Sequence, residues 1–232
     1  MTSLWKSFPV YETMNQKIKR YILHILYPTK CPVCGEIIDF NDDFCSVCRE
    51  KLTMYEGSYS IRGADGFCAA FLYDGNISPA VMLLKDGICG NADFALGNAL
   101  AERLVNSGIA SEADTIIPVP LHKKDKRQRG YNQSELIAKQ VSLRLGLPIC
   151  PDAVEKIRHT ASQKSLSQSE RITNLCGAFS VKKPELVSGK RIILIDDVCT
   201  TGSTLAEIAK LLKENNAAKV YCASCCKTEL TD

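Results

Sequence analysis

No run of apolar residues in this 232-residue chain approaches the roughly 20 that a membrane-spanning helix requires. The first part of the chain also lacks the apolar core of a secretory signal, and it carries Lys6, Lys17, Lys19 and Arg20 instead. We therefore expect a cytoplasmic protein without stable membrane insertion. In a reducing cytosol, metal binding explains the 12 cysteines better than a disulfide framework does.

Two common nucleotide-binding fingerprints are also missing. No GxGxxG follows a strand-like segment, and no GxxxxGK[ST] occurs anywhere, which argues against dinucleotide-binding and P-loop folds. Apart from a pair of cysteine knuckles, the chain has no internal repeat or low-complexity segment. A nucleotide or sugar-phosphate site would therefore have to use another motif.

The composition, with 45% hydrophobic and 24% charged residues, is that of a globular protein. The length suits one ample domain and one small one, and we predict a small segment at 1–60 and a larger domain at 61–232. The net charge of +3 is uneven, because residues 119–175 hold eleven Lys or Arg and only five Asp or Glu. A basic middle segment favours a polyanionic ligand, with a solvated charged surface as the alternative.

Four cysteines in the small segment form two CxxC knuckles, namely Cys31, Cys34, Cys45 and Cys48. Four thiolates at this spacing are typical of a tetrahedral, structural zinc site, and bound metal would supply stability that so short a segment lacks. Two disulfides or four free thiols are the alternatives. The isolated cysteines favour core packing, and the group Cys222, Cys225 and Cys226 has no identifiable fourth ligand for a second metal.

Residues 11–27 show helical periodicity, with apolar side chains at Ile18, Tyr21, Ile22, Ile25 and Leu26. This spacing predicts an amphipathic helix that ends before Pro28. We expect its apolar side to pack on the body of the protein, and membrane association is the alternative.

Strand-like and helix-like segments alternate through the larger domain. We predict strands at 67–73, 115–120, 191–195 and 219–226, and helices at 78–84, 93–105, 134–145 and 205–214. Alternation of this kind predicts an α/β fold, a parallel sheet with helices on both faces. Ligands of such sheets bind beyond the carboxyl ends of the strands, where residues 118–122 and 196–204 lie.

The run RIILIDDVCTTGSTLAE at 191–207 carries the strongest functional signal. A buried strand leads through small and hydroxyl residues into a helix, whose unpaired N–H groups and dipole favour an anion. Asp196 and Asp197 would repel a phosphate and suit sugar hydroxyls or Mg²⁺. The ligand indicated is therefore a sugar phosphate, although an ordinary βα turn with a capping residue would explain one or two of these positions.

This run resembles the phosphoribosyl pyrophosphate (PRPP) loop of type I phosphoribosyltransferases. The resemblance implies that Asp196 and Asp197 hold the ribose hydroxyls. It also implies that the loop cradles the 5′-phosphate through Val198, Cys199, Thr200, Thr201, Gly202, Ser203 and Thr204.

With four further motifs, nearly the whole chain resembles the ComF family, phosphoribosyltransferase-like proteins associated with DNA uptake and natural transformation. The motifs are a cysteine-knuckle N-terminus, PVPLH at 118–122, RGYNQ at 129–133 and an Arg-x-Thr-x-x-Gln stretch at 158–163. The fold implied is a five-stranded parallel type I phosphoribosyltransferase core with a small N-terminal zinc-binding segment. The cofactors implied are structural zinc and Mg²⁺.

The resemblance also implies roles around the pyrophosphate. Arg129 would act with the aspartates in catalysis, and residues 123–133 would form a mobile loop that closes over the site. The pyrophosphate-side contacts would be Val119, Pro120, Leu121, His122, Lys123 and Lys85, with a solvated loop residue as the alternative reading of His122. A positive charge there would neutralise pyrophosphate as it leaves the ribose.

Three functions are compatible with these features. The first is a protein that keeps a PRPP-type pocket and handles single-stranded DNA during uptake, with a possible helicase or uptake partner. The second is an active phosphoribosyltransferase with an unidentified acceptor, and the third is a nucleotide sensor. The nucleic-acid candidates are Lys124, Lys126, Arg127, Tyr131, Asn132, Gln133, Arg158, Thr160, Gln163 and Arg171.

Glutamine-dependent transfer is not expected. It would require a separate glutaminase domain with an N-terminal cysteine nucleophile, whereas this chain begins Met1-Thr2-Ser3.

Overall fold

The main sheet of the computed structural model is parallel and has the strand order β1-β6-β5-β2. The structure describes residues 18, 21–22, 24–86, 91–160 and 175–229. In chain order the strands are β1 (Gly66–Leu72), β2 (Thr115–Pro118), β3 (Val154–Lys156), β4 (Phe179–Val181), β5 (Arg191–Cys199) and β6 (Lys219–Lys227), of which β3 and β4 form a separate antiparallel pair. The apolar runs of β2 and β5 are buried, as expected for strands covered on both faces.

The expectation of five parallel strands is wrong for the described residues, whose main sheet has four. At the position of a fifth strand, Ile149 makes a single parallel bridge to Ile116 beside β2. Pro148 and Pro151 flank that bridge, and proline has no N–H with which to extend a ladder. The two hydrogen bonds that remain are Ile116 N–H to Pro148 O at 2.9 Å and Cys150 N–H to Ile116 O at 2.8 Å.

Helices cover both faces of the sheet, as predicted. They are α1 (Ser46–Lys51), α2 (Ser78–Asp86), α3 (Ala92–Asn106), α4 (Ile109–Glu112), α5 (Lys123–Arg129), α6 (Gln133–Leu145) and α7 (Ser203–Glu214), with a 3₁₀ turn at Pro184–Leu186. Alternate residues of β5 contribute to two different core clusters. Ile193 and Ile195 pack with α2, α3 and α6, whereas Ile192 and Leu194 pack with α7.

The segment expected to be a mobile loop at 123–133 is instead largely helical, because α5 spans Lys123–Arg129. His122 caps its N-terminus by accepting the N–H of Lys124, and Gly130 ends it at φ 87°. Long charged side chains are good helix formers, so the composition that resembled a loop supports a helix once both ends are capped.

The cysteine segment shares a core with the larger domain. Cys45 caps α1, and the neighbouring Phe44 is buried against Phe71 of β1 with ring centroids 5.9 Å apart. Cys31 and Cys48 belong to the same apolar cluster as the helices on that face of the sheet. Folding of this segment is therefore coupled to the main core.

The predicted amphipathic helix is partly described, and Ile18, Tyr21, Ile22, Ile25 and Leu26 are all helical. These five side chains are 49–67% exposed, so the expected packing of this side on the body is not observed among the described residues. Tyr21 contacts Phe40 of the cysteine segment, with 5.5 Å between the ring centroids. None of the helices in the described part of the chain is long and apolar enough to cross a membrane.

Candidate functional site

A cavity of about 350 Å³ opens at the carboxyl end of β5, where the sequence places its strongest motif. Its walls are formed by Tyr73 at the end of β1, Lys85 of α2, Thr228 after β6, and the continuous run of residues 196–205. Val198, Cys199, Thr200, Thr201, Gly202, Ser203 and Thr204 all line it, together with both aspartates. The structure therefore brings Lys85 and the acidic and hydroxyl residues of the loop to one cavity.

The two aspartates have different surroundings. Asp196 accepts hydrogen bonds from the hydroxyl of Ser134 and the N–H of Asp197, both at 2.9 Å. Loss of bulk water around Asp196 and the charge of Asp197 raise the pKa of Asp196 to about 7. Asp197 Oδ2 lies 3.5 Å from Nζ of Lys85, which brings one positive charge to the acidic pair.

The loop after β5 has the features of an anion cradle. Gly202 adopts φ 69°, and α7 begins at the next residue, so the first N–H groups of a 12-residue helix have no acceptor within the helix. The hydroxyls of Thr201 and Ser203 lie 2.9 Å apart at the same turn. Backbone donors, hydroxyls and the helix dipole thus converge where a phosphate would sit.

Two residues that the sequence did not single out hold backbone carbonyls of this loop through hydrogen bonds. Lys227 is only 2% exposed, and its ammonium donates to Thr200 O at 2.9 Å and to Thr228 O at 2.5 Å. The same ammonium lies 4.4 Å from the ring centroid of Tyr59, whose hydroxyl donates to Thr201 O at 2.9 Å. The available signal in the sequence was a lysine at the carboxyl end of a strand.

The RGYNQ motif links elements of the site. Tyr131 donates to Leu84 O at 2.7 Å, and Asn132 donates to Val119 O at 2.9 Å while capping α6. Asn132 is 6% and Gln133 3% exposed, so neither side chain is available to nucleic acid in this conformation. The motif instead holds α6 so that Ser134 reaches Asp196.

The residues assigned to the pyrophosphate side lie outside the lining of this cavity, apart from Lys85. Val119 continues the pairing of β2 by donating to Ile195 O at 2.8 Å. Pro120 and Leu121 follow it and lead to His122, which caps α5. Nζ of Lys123 lies 3.7 Å from Oε2 of Glu155. Arg129, the proposed catalytic arginine, is exposed in the last turn of α5 and does not line the cavity.

The remaining nucleic-acid candidates are distributed unevenly. Lys124 and Arg127 are exposed on α5, and Lys126 of the same helix pairs with Glu135 at 3.0 Å. Arg158 donates to Cys176 O at 2.7 Å. Thr160 is partly buried at the end of a described segment, and Gln163 and Arg171 lie outside the described residues.

The four knuckle cysteines form a separate cluster. The Sγ atoms of Cys31, Cys34, Cys45 and Cys48 all lie within 4.8 Å of one another, and Cys34 and Cys45 are 3.7 Å apart. A tetrahedral zinc ion with Zn–S bonds of about 2.3 Å separates its sulfurs by roughly 3.8 Å, so the cluster fits structural zinc. The first and second knuckles lie side by side, as one site requires.

Comparison with known protein families finds two models that match different parts of the chain. A double zinc ribbon domain matches residues 22–69, and a phosphoribosyl transferase domain matches residues 131–229. Within 22–69 the cysteines other than the quartet are limited to Cys68, so the chain has thiolates for one zinc site there. The type I phosphoribosyltransferase fold agrees with the parallel strand order and with helices on both faces.

Individual relatives match either most of the chain or slightly less than half of it. The DNA utilization protein YhgH of Shigella flexneri is 34% identical over 203 residues, 86% of this chain and 85% of that protein. Competence protein F of Haemophilus influenzae is 46% identical over 44% of each chain, and competence protein ComFC of Bacillus subtilis is 35% identical over 45% of this chain and 41% of that one. A solved structure, that of the allosteric regulatory enzyme of purine biosynthesis, gives a TM-score of 0.42 at 22% identity, covering 62% of this chain and 30% of that one.

Proposed function

Because this chain belongs to the ComF family, together with the DNA utilization protein YhgH and the competence proteins F and ComFC, we propose that its cavity binds PRPP or a related ribose 5-phosphate with Mg²⁺. The observation that carries the proposal is one cavity lined by the carboxylates of Asp196 and Asp197, the loop that leads into α7, and Lys85. That combination suits a ligand with a phosphate at one end and free hydroxyls at the other.

The role that we propose for each group follows from its chemistry. The N–H groups at the start of α7 and the hydroxyls of Thr201 and Ser203 bind the 5′-phosphate. The aspartates cannot serve a phosphate directly, so they accept hydrogen bonds from the ribose hydroxyls. Lys85, 3.5 Å from Asp197, offsets negative charge at the sugar and pyrophosphate.

The oxygen-rich donor set of the two aspartates and the loop hydroxyls fits Mg²⁺, which prefers such ligands. When bound, Mg²⁺ would neutralise pyrophosphate oxygens and draw electron density from the bond to the ribose. Asp196 must be deprotonated to participate, and its Ser134 hydrogen bond fixes the orientation of its carboxylate.

We further propose that the protein handles single-stranded DNA during uptake, with α5 as the contact surface. The helix carries Lys123, Lys124, Lys126, Arg127 and Arg129 within seven residues. This density of positive charge suits a phosphate backbone and specifies no base sequence. The names of the relatives, which refer to DNA utilization and competence, support this class of partner. A helicase or another uptake protein is a compatible partner.

Transfer of phosphoribose to an acceptor is the second candidate, favoured by Lys85 next to the carboxylate pair. In that reaction the C1–O bond of PRPP breaks, pyrophosphate leaves with the bonding electrons, and the acceptor supplies the pair that forms the new bond to C1. The two candidates share the binding step and differ in whether pyrophosphate is released.

The decisive experiment titrates the protein with PRPP and Mg²⁺ by calorimetry, and then follows pyrophosphate release with and without single-stranded DNA. We expect saturable binding that is lost in the double variant Asp196→Asn, Asp197→Asn and kept in Asp152→Asn, a change at an exposed aspartate. Circular dichroism checks that the double variant is folded. Normal binding by that variant would refute the site, whereas release above the spontaneous rate would establish the transferase or a hydrolase.

A further inference from the structure

Two of the three histidines in the chain converge with an aspartate outside the cavity described above. His159 Nε2 lies 3.0 Å from Asp125 Oδ1, and the rings of His122 and His159 have centroids 5.1 Å apart. One ligand atom from each of the three residues lies within 4.8 Å of the others. A zinc-class ion with bonds of about 2.0–2.2 Å holds its ligand atoms roughly 3.3–3.6 Å apart, so side-chain rotations would have to bring the three ligand atoms closer together.

The three residues come from different segments that the fold fixes against each other. His122 directly precedes α5, Asp125 lies in the first turn of that helix, and His159 follows β3. The two histidine-bearing segments run side by side, because His122 makes a parallel bridge to Lys156 of β3. Backbone pairing, not chance contact between surface side chains, therefore brings the histidines together.

We propose that His122, Asp125 and His159 form a binding site for a divalent transition metal ion of the zinc class. Two imidazoles and one carboxylate are suitable ligands for zinc, cobalt or nickel. Three protein ligands leave at least one coordination position open for water or for an oxygen of a phosphate. The site is distinct from the four-cysteine cluster and does not depend on the proposed PRPP pocket.

Metal binding there competes with a hydrogen bond of the protein. Nδ1 of His122 accepts the N–H of Lys124 at 3.2 Å, which places the proton of the neutral ring on Nε2. Coordination through Nδ1 displaces this cap directly, and coordination through Nε2 moves the proton to Nδ1, which can then no longer accept. Binding is therefore coupled to the first turn of α5, the helix that carries the basic residues.

The charges at the histidine site determine how strongly it is expected to bind zinc. Asp125 contributes the one negative charge among the ligands. Burial lowers the pKa of Lys156, and the charge of Asp125 opposes that shift. The cysteine site, by contrast, offers four negatively charged thiolates, which complete the tetrahedral coordination of zinc. The histidine site should consequently bind zinc more weakly than the cysteine site and fill second.

The test uses the untagged full chain, first saturated with one equivalent of zinc at the cysteine site. Calorimetric titration with Zn²⁺ should show a second equivalent in the unaltered protein and in His24→Ala, the control at the third histidine. His159→Ala should lose that equivalent, and Asp125→Asn should weaken it at least tenfold. His159 is chosen because its side chain is exposed and caps no helix.

Cobalt gives a second readout that identifies the ligands. Added to zinc-loaded protein, Co²⁺ at this site should give weak visible bands without an intense thiolate charge-transfer band. A total of one equivalent of zinc in the unaltered protein would overturn the proposal. A second equivalent that persists in His159→Ala would overturn it equally, because the ion would then lie elsewhere.

Discussion

The ammonium of Lys227 donates to the carbonyl oxygen of Thr200 at 2.9 Å, which makes a buried cation part of the support of the phosphate loop. Burial lowers the pKa of Lys227, yet its contacts to two carbonyls and to the Tyr59 ring suit the charged form. This hydrogen bond holds the carbonyl of Thr200, a residue of the loop that lines the cavity, whereas Lys227 itself is not part of the lining.

Replacing this lysine by methionine should weaken both the fold and phosphate binding. A charge-assisted hydrogen bond contributes about 1.5–3 kcal/mol to stability. Because a positive charge next to the loop is also lost, we expect Lys227→Met to lower the affinity for ribose 5-phosphate by roughly tenfold. Calorimetry measures this, with denaturant unfolding as the check on stability. Lys219→Met, at the other end of the same strand, should leave affinity unchanged, and equal affinities for both variants would contradict the role of Lys227.

The pKa of Asp196 predicts a pH dependence for cation-assisted binding. Because that pKa is raised to about 7, the carboxylate is protonated in much of the free protein below neutrality. A group with this pKa is roughly one-tenth ionised at pH 6 and nine-tenths ionised at pH 8, so affinity for PRPP with Mg²⁺ should rise about tenfold over this interval and then level off.

The ligand's own phosphates titrate in the same range, so Asp196→Asn is the control for this profile. That variant should bind more weakly and lose the part of the rise that belongs to the protein. A profile identical in both proteins would assign the pH dependence to the ligand alone.

Gly202 is required for two separable reasons. Its φ of 69° is strained for any residue with a Cβ, and a Cβ there would lie 2.5 Å from Cδ1 of Ile61. Strain of this kind costs on the order of 1–3 kcal/mol, and either the buried Ile61 side chain or the loop must also shift. Gly202→Ala should therefore lower both the unfolding free energy and the affinity for ribose 5-phosphate.

Gly189 provides a matched control, because it has φ 72° and open space around the position of a Cβ. Gly189→Ala should show the backbone strain alone, with unchanged ligand affinity. If Gly202→Ala behaves in the same way, the contact with Ile61 does not shape the loop.

The parts of the site that could be predicted from the sequence are those encoded in consecutive residues. The strand, the acid pair and the loop that leads into α7 are local chemistry, and they line one cavity as a continuous run. Lys227 and Tyr59 could not be found in this way. Tyr59 is 142 positions from Thr201, and only the sheet order brings them together.

The fold itself shows the same division. Alternating segments predicted a parallel sheet with helices on both faces, whereas the fifth strand was implied only by the family resemblance. The structure has a single bridge at Ile149 instead, because the flanking prolines lack the N–H groups that would extend a ladder. The helix α5 was also missed. None of the side chains of Lys123–Arg129 is buried, so the helix needs no apolar periodicity that the sequence could reveal. Its ends are fixed instead by the caps at His122 and Gly130.

The zinc cluster should stabilise more than its own segment. Phe44, Cys31, Cys45 and Cys48 share an apolar cluster with β1 and α3, so loss of the metal should also weaken the main core. We expect Cys48→Ser to abolish stoichiometric zinc at the quartet and to lower the unfolding free energy by about 4 kcal/mol or more. Cys176→Ser, at an exposed thiol, should retain zinc and stability. Full zinc content with an unchanged melting temperature in Cys48→Ser would contradict the assignment.

The basic helix α5 should account for a salt-dependent affinity for single-stranded DNA. Each backbone phosphate neutralised on a single strand contributes about −0.7 to the slope of log affinity against log salt. Changing Lys124, Arg127 and Arg129 to glutamine should therefore weaken binding and make that slope less negative by roughly 2, if each contacts one phosphate. Fluorescence anisotropy with an unstructured oligonucleotide at several salt concentrations measures both quantities. Lys51, Lys182 and Lys190, also exposed, form a control with the same change in net charge. If both triple variants lose affinity equally, total charge governs binding and α5 is not a specific contact surface.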